Sequence, residues 1–234
     1  MSDCILQATG NISDKDRKRG QVLDTLKVER ERGITVKAQT ASMIYKDPRD
    51  DQLYLLNLID TPGHIDFSYE VSRSLASCQG ALLLVDSSQS VQAQTLANFN
   101  KAKALDLSMI PVVTKIDLPN AMPDETAKSM CSTFGLDVAS VIQTSAKQRL
   151  GIDDGLAAII DRLPHPDLNK TADSPFMARV VDSWFDEHRG VVMLLQCISG
   201  ALKEGDRITT FASAKEALDI DNRKEFSVQG LCAY

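Results

Sequence analysis

Four short stretches of the chain carry residue types that do chemistry. In Asn57-Leu58-Ile59-Asp60-Thr61-Pro62-Gly63-His64-Ile65-Asp66-Phe67, an apolar run ends in an aspartate, and a Thr-Pro-Gly turn then presents a histidine ahead of a helical pattern. That is the layout of a buried parallel strand whose C-terminal end opens onto a ligand crevice. A lone aspartate in this place can simply cap the next helix. Thr61, Pro62 and Gly63 shift the reading, because a glycine at a helix start lets its backbone N–H approach a phosphate closely. A carboxylate beside it, Asp60, can hold a magnesium ion through water.

The second stretch, Thr114-Lys115-Ile116-Asp117, follows a predicted strand over Met109–Thr114. Lys-x-Asp by itself is a common charged turn. Its carboxylate has one specific use, which is to accept two hydrogen bonds from N1–H and the 2-amino group of guanine, donors that adenine lacks. A site built around such donors rejects a base without them by a factor on the order of 10⁴ or more. Ser145-Ala146-Lys147 follows the next strand, where a backbone N–H can meet the guanine O6. Gly33-Ile34-Thr35 lies in the first polar loop, where the Thr35 hydroxyl can complete the magnesium shell when a third phosphate is present. Each piece is weak alone, but all four fall in loops and three follow strand ends that one sheet would align. An ATPase using Asp60 as its magnesium carboxylate is disfavoured by Asp117.

The elements that position these residues follow from periodicity. Ser2–Ala8 suits the tail of a helix, and Gln21–Arg32 a short helix closing on a glycine. Ile34–Tyr45 and Leu53–Asp60 read as strands of an antiparallel hairpin around the turn cluster Asp47–Asp51. A helix follows in which Phe67, Val71, Leu75 and Cys78 recur at helical spacing. Strand and helix then alternate: Ala81–Val85, Val91–Leu105, Met109–Thr114, Pro123–Phe134, Val138–Thr144 and Ile152–Leu163. Pro123 with Asp124 and Glu125 suits a first turn, and Gly135 a C-terminal cap. The expected fold is α/β, with a mostly parallel sheet covered on both faces. A Pro-rich segment over 164–175 marks a boundary. Beyond it, strands over Met177–Phe185, Gly190–Ser199, Arg207–Phe211 and Phe226–Tyr234 read as the opening of a small β-barrel too short to close.

Composition excludes other classes. The chain has 234 residues, is 43% hydrophobic and carries a net charge of −6, which argues against holding nucleic acid by bulk electrostatics. Five scattered cysteines with no Cys-x-x-Cys pair fit neither a disulfide framework nor a zinc site. No apolar stretch reaches the roughly 20 residues that span a bilayer, and the first residues resemble neither a secretory signal nor a transit peptide.

Together, Gly33-Ile34-Thr35, Asp60-Thr61-Pro62-Gly63-His64, Thr114-Lys115-Ile116-Asp117 and Ser145-Ala146-Lys147 resemble the motifs of a translation-factor GTPase. Val28-Glu29-Arg30-Glu31-Arg32-Gly33-Ile34-Thr35-Val36-Lys37-Ala38-Gln39-Thr40 and Asp66-Phe67-Ser68-Tyr69-Glu70-Val71-Ser72-Arg73-Ser74-Leu75 are similar to the LepA or elongation-factor-four group, most of all to its mitochondrial member. The likeness extends to Asp182-Ser183-Trp184-Phe185-Asp186 and the Gly205-Asp206 turn, fading over 213–224. It implies a P-loop NTPase-type G domain over 1–163, a linker over 164–175 and part of a translation-factor β-barrel over 176–234. It also implies GTP hydrolysis, in which Thr35 and Asp60 serve Mg2+, Gly63 the γ-phosphate, and His64 the attacking water. Asp117 would take the guanine and Lys115 lay its stem on the base, with Thr114, Ser145, Ala146, Lys147, Thr61 and Pro62 completing the nucleotide site. The implied partners are the ribosome and tRNA-bearing ribosome complexes, without DNA, for a monomer with peripheral membrane association. The implied location is the mitochondrial matrix or inner membrane, or the cytoplasm in a bacterium.

Two features depart from that family. The chain contains no Gly-x-x-x-x-Gly-Lys-[Ser/Thr] loop and no strand ahead of its first helix, so it is expected to be a fragment that folds poorly, binds GTP weakly or not at all, and is inactive alone. The strand absent here would lie between those ending at Asp60 and at Val85. Thr114 stands where the family has asparagine, which implies a less organised pocket with the same base preference. A non-hydrolysing ribosome-binding protein is the alternative.

Overall fold

The computed structural model describes residues 1–10, 23, 35–165, 174–210 and 225–228. Of the helix expected over 21–32 only Leu23 is among them; Gly33, Ile34 and the strand ends beyond Thr210 and Val228 lie outside. The chain divides into two compact units, Met1–Pro166 and Asp167–Tyr234.

In the first unit, β1 (Gln39–Lys46) and β2 (Leu53–Asp60) form the expected antiparallel hairpin, with Gln39 paired to Asp60 and Lys46 to Leu53. A second sheet is parallel, in the order β3 (Gly80–Asp86), β4 (Ser108–Thr114), β5 (Ile142–Gln143). Alternation along β4 sends side chains to both faces. Ile110 and Val112 join Ile142 and Ala158 on one face, while Val113 joins Leu83, Val85, Phe99, Ala127, Met130 and Phe134 on the other. The helices over these faces are α3 (Ala93–Ala104), α4 (Pro123–Phe134) and α5 (Ile152–Arg162). Among the described residues β2 pairs only with β1, and β3 only with β4. The two sheets therefore share no ladder among the described residues.

Side chains hold the halves together instead. Ile5 and Leu6 of α1 (Ser2–Ala8) cluster with Met43, Tyr45 and Leu156, bordered by Leu56 and Leu58 of β2 and Leu82 of β3. The hairpin turn is pinned separately. Asp47 is buried, and the Arg49 guanidinium donates to it from Nε at 3.0 Å and from Nη2 at 2.6 Å. The same guanidinium donates to Asp161 of α5 at 2.7 and 3.0 Å. The side-chain hydrogen bond from Arg49, helped by one from its backbone N–H, holds the Asp47 carboxyl below the usual carboxylate range against the opposing effect of burial.

Four expectations need correction. The strand expected over 34–45 begins only at Gln39, with residues 35–38 outside it. Val138–Thr144 is not one strand: the Asp137 side chain accepts from the Ala139 N–H at 3.0 Å and winds Val138–Ser140 into a 3-10 turn, leaving β5 two residues long. The helix after His64 is α2 (Ser68–Leu75), preceded by a 3-10 turn over Ile65–Phe67, so Phe67 and Cys78 lie outside it. The third strand runs one residue past Val85, to Asp86. Elsewhere the local signals act as read, and Gly135 caps α4 in the left-handed region at φ 69°, donating to the Cys131 carbonyl.

The second unit contains an antiparallel hairpin of β6 (Met177–Asp186) and β7 (Gly190–Ser199), and a short pair of β8 (Arg207–Thr209) with β9 (Glu225–Ser227). Among its described residues Val181 is the one buried apolar side chain, while Phe185 and Val191 are exposed.

Two outcomes follow for stability. Leu156→Ala, at the centre of the cluster joining α1, β1 and α5, should cost about 2–5 kcal/mol, read from the urea midpoint and slope. The depressed folded pKa of Asp47 means that its contribution is fully present above the unfolded value of about 3.9. It is lost as pH falls through the folded pKa. Asp47→Asn should therefore lower the urea midpoint at pH 7 and converge with the native chain as pH falls below the folded pKa.

Candidate functional site

Parallel pairing brings three strand tips to one level. Asp86 pairs with Thr114, and Val113 with Gln143. Thr144 then donates from its N–H to the Val113 carbonyl at 2.7 Å, and Ile116 to the Thr144 carbonyl at 3.3 Å. The loops leaving β3, β4 and β5 thus emerge side by side at the carboxyl edge, where open α/β sheets bind ligands.

Those loops are cross-tied. The Ser145 hydroxyl, fully buried, donates to Asp117 Oδ1 at 2.5 Å and accepts from the Gln148 N–H at 3.1 Å. An ionised carboxylate has about four acceptor sites, so Asp117 retains capacity for two ligand donors. Thr114 turns its hydroxyl inward to the Val85 carbonyl at 3.2 Å, tying β4 to β3 rather than facing a ligand. Lys115 sits in the left-handed region at φ 58°. Its carbonyl accepts from the Ser87 hydroxyl at 3.0 Å, and its ammonium lies 2.8 Å from Asp86 Oδ2. Asp86 also accepts from the Ser88 N–H at 2.9 Å and the Ser88 hydroxyl at 2.7 Å. Partial burial pushes the Asp86 carboxyl up, but the bonds from Lys115 and Ser88 outweigh it and hold it below the usual carboxylate range.

The other half of the site gathers at the end of β2. The Ser2 hydroxyl donates to Asp60 Oδ1 at 3.1 Å, and the Cys4 thiol to the Ala146 carbonyl at 3.0 Å. Both donors belong to the first turn of α1, so that turn bridges the Asp60 tip and the Ser145-Ala146-Lys147 loop. Pro62 is buried, whereas Gly63 is exposed and a Cβ built on it would meet nothing within 4 Å. Its lack of a side chain therefore serves access and not packing. At His64, Nδ1 accepts from the Asp66 N–H at 3.3 Å and lies 3.2 Å from Asp66 Oδ2. Thr35 is half-buried four residues ahead of Gln39, which pairs with Asp60, so it enters at the same end of the hairpin.

The geometry joins Thr114, Lys115, Asp117, Ser145 and Ala146 around the β3–β5 tips, and ties Asp60 to them through α1. No hydrogen bond connects His64 or Gly63 to that group among the described residues, and Lys147 is exposed at its rim. Among the described residues, no group of three or more His, Cys, Asp or Glu could cage a metal by itself. Sequence reasoning missed Asp86 and Ser87. The signal was present, since Gly80–Asp86 is an apolar run ending in aspartate like the one ending at Asp60.

Comparison with known proteins bears on family and fold. Residues 1–165 match the family model described as the elongation factor Tu GTP binding domain. The mitochondrial translation factor GUF1 homolog of Phytophthora infestans is 50% identical over 208 residues, 89% of this chain and 32% of the relative. Elongation factor 4 of Synechocystis sp. is 50% identical over 216 residues, 92% of this chain and 35% of the relative. The chain thus spans about a third of the length of these curated relatives. Among solved structures, a bacterial selenocysteine-specific elongation factor superposes with a TM-score of 0.69 at 23% identity, covering 89% of this chain and 34% of that one, which bears on the fold alone. With residues 1–165 matched by that model, the chain belongs to the elongation factor Tu GTP-binding domain family, and within it the chain is similar to relatives named elongation factor 4 (LepA) and GUF1.

Proposed function

We propose that the protein is a ribosome-associated GTPase of translation elongation, hydrolysing GTP to GDP and phosphate. The observation that carries this is the Asp117 carboxylate, tied by Ser145 at 2.5 Å beside the aligned tips of β3, β4 and β5. A fixed carboxylate at that edge accepts from N1–H and the 2-amino group of guanine and has nothing to accept from N1 of adenine. The Lys115 stem lies against the ring, and the Ala146 and Lys147 backbone closes the pocket.

At the phosphate end, Gly63 offers its N–H where no side chain intervenes. Asp60 and Thr35 would hold Mg2+, and their carboxylate and hydroxyl oxygens are the hard donors that this ion takes alongside water and phosphate. Once bound, the ion would neutralise charge on the phosphate oxygens. His64 would orient the attacking water. Its ring, held through Nδ1 by Asp66, would hydrogen-bond the water, a positioning role suited to a reaction whose catalysis is mostly placement and charge stabilisation.

Partners and place rest on the relatives. The name elongation factor 4 supports the ribosome as a partner, with its tRNA-bearing complexes added as part of the proposal, and the Phytophthora infestans relative, named mitochondrial, supports that location. Monomeric state and peripheral membrane association are the remaining parts of the proposal.

The test is phosphate release from GTP against ATP, with and without ribosomes. GTP-selective release, reduced about 10²-fold or more by His64→Ala, is expected; equal release from ATP overturns the reading. Binding of guanine nucleotide to ribosome-bound protein without hydrolysis would instead support a non-hydrolysing binding protein. Base choice is checked separately at millimolar nucleotide. Asp117→Asn should shift preference from guanosine to xanthosine nucleotides by about tenfold or more, because its amide donates to the xanthine 2-oxo group. Thr114→Asn should leave that preference unchanged, since the Thr114 hydroxyl bonds the Val85 carbonyl.

A further inference from the structure

Asp86 has no part in the nucleotide chemistry described above, yet it is held more firmly than an ordinary surface carboxylate. Its side chain is 17% exposed, against 60% for the Lys115 side chain it pairs with. Two donors from Ser88 fix it independently of the lysine, through the N–H and the hydroxyl to Oδ1, leaving Oδ2 to the ammonium. The lysine is fixed from its other end too. Its backbone occupies the left-handed region at φ 58°, a conformation that a residue with a side chain keeps only where its surroundings over-determine it. The bond from the Ser87 hydroxyl to its carbonyl and the bond from the Ser87 N–H to the Thr114 carbonyl supply that constraint.

A lysine stem has four rotatable bonds and, left alone, samples many rotamers. Clamped at both ends, it becomes a short apolar shelf running from the β4 tip to the β3 tip, beginning two residues before Asp117. We propose that Asp86 is a positioning residue for the base pocket: it anchors the Lys115 ammonium so that the methylene stem presents a preformed surface to the face of a purine ring. This rests on the guanine-pocket reading and extends it by dividing the labour. Asp117 reads the edge of the base and sets the choice among purines, whereas the Asp86–Lys115 pair supports the face and adds affinity for any purine nucleotide. Preorganisation of this kind raises affinity by removing an ordering cost at binding.

The experiment compares the native chain with Asp86→Asn, Lys115→Met and the double variant. Without nucleotide, the rate at which an amine-reactive ester labels Lys115 is read by mass spectrometry. Asp86→Asn should raise it roughly two- to fivefold, the range open to an ion pair with one exposed partner, with Lys46 unchanged as an internal reference. Titration with GDP and IDP at up to millimolar concentration should then show affinity reduced by the same roughly two- to fivefold factor for both. The double variant should bind like Lys115→Met alone, because a purely structural aspartate would add its own loss. Asp86→Glu, which keeps the charge, should recover part of the affinity. Unchanged Lys115 labelling overturns the anchor. Unequal losses for GDP and IDP, or additive losses in the double variant, overturn the division of labour. A native chain that binds neither nucleotide overturns the guanine pocket itself, a failure told apart from the others by the nucleotide-free labelling.

Discussion

Backbone pairing between β3, β4 and β5 sets Asp86, Thr114 and Thr144 at one level, and the rest of the site is placed relative to that level. A parallel ladder leaves little freedom here, because a slip of one residue would send every buried side chain of β4 to the wrong face. Ile110, Val112 and Val113 are each buried to within about a hundredth of full coverage, so the register is enforced by both layers of helix at once. The polar ties at the tips then add direction to a platform whose height is already decided. Ser145 to Asp117, Ser87 to the Lys115 carbonyl and Thr114 to the Val85 carbonyl all cross between neighbouring strands or their loops.

The hairpin carrying Asp60 is held to that platform by different means. With no shared ladder between β2 and β3 among the described residues, packing through α1 and α5 and the Arg49 clamp on Asp47 and Asp161 take the place of strand pairing. Unpaired backbone groups, where buried, cost about 1–3 kcal/mol each against a domain stability of about 5–15 kcal/mol. The position of Asp60 and its turn therefore depends on a few side chains, whereas the position of Lys115 and Asp117 depends on a continuous ladder.

Charge is managed consistently in both halves. Asp47 and Asp86 sit where burial alone would favour the neutral acid, and in each case hydrogen bonds from a cation and a backbone N–H keep the carboxylate ionised. The cation is an arginine where the role is to bridge two carboxylates, which suits its planar fork. It is a lysine, Lys115, where one partly buried carboxylate, Asp86, is the partner.

Local chemistry was legible from the sequence alone. Apolar runs ending in Asp60 and Thr114, the Pro123 start and Gly135 stop of α4, and the alternation of strand and helix depend on neighbours in the chain, and periodicity and turn chemistry report such neighbours directly. Motif spacing likewise pointed to Asp60, Gly63, Asp117 and Ser145 as candidates. Tertiary structure alone decided the rest. The Cys4 thiol meets the Ala146 carbonyl 142 residues away, Arg49 meets Asp161 112 residues away, and Lys115 finds Asp86 across a strand–helix–strand crossover. No local pattern encodes those meetings. Even the short β5 follows from the competition between an Asp137 side chain and a ladder, which only the folded geometry resolves.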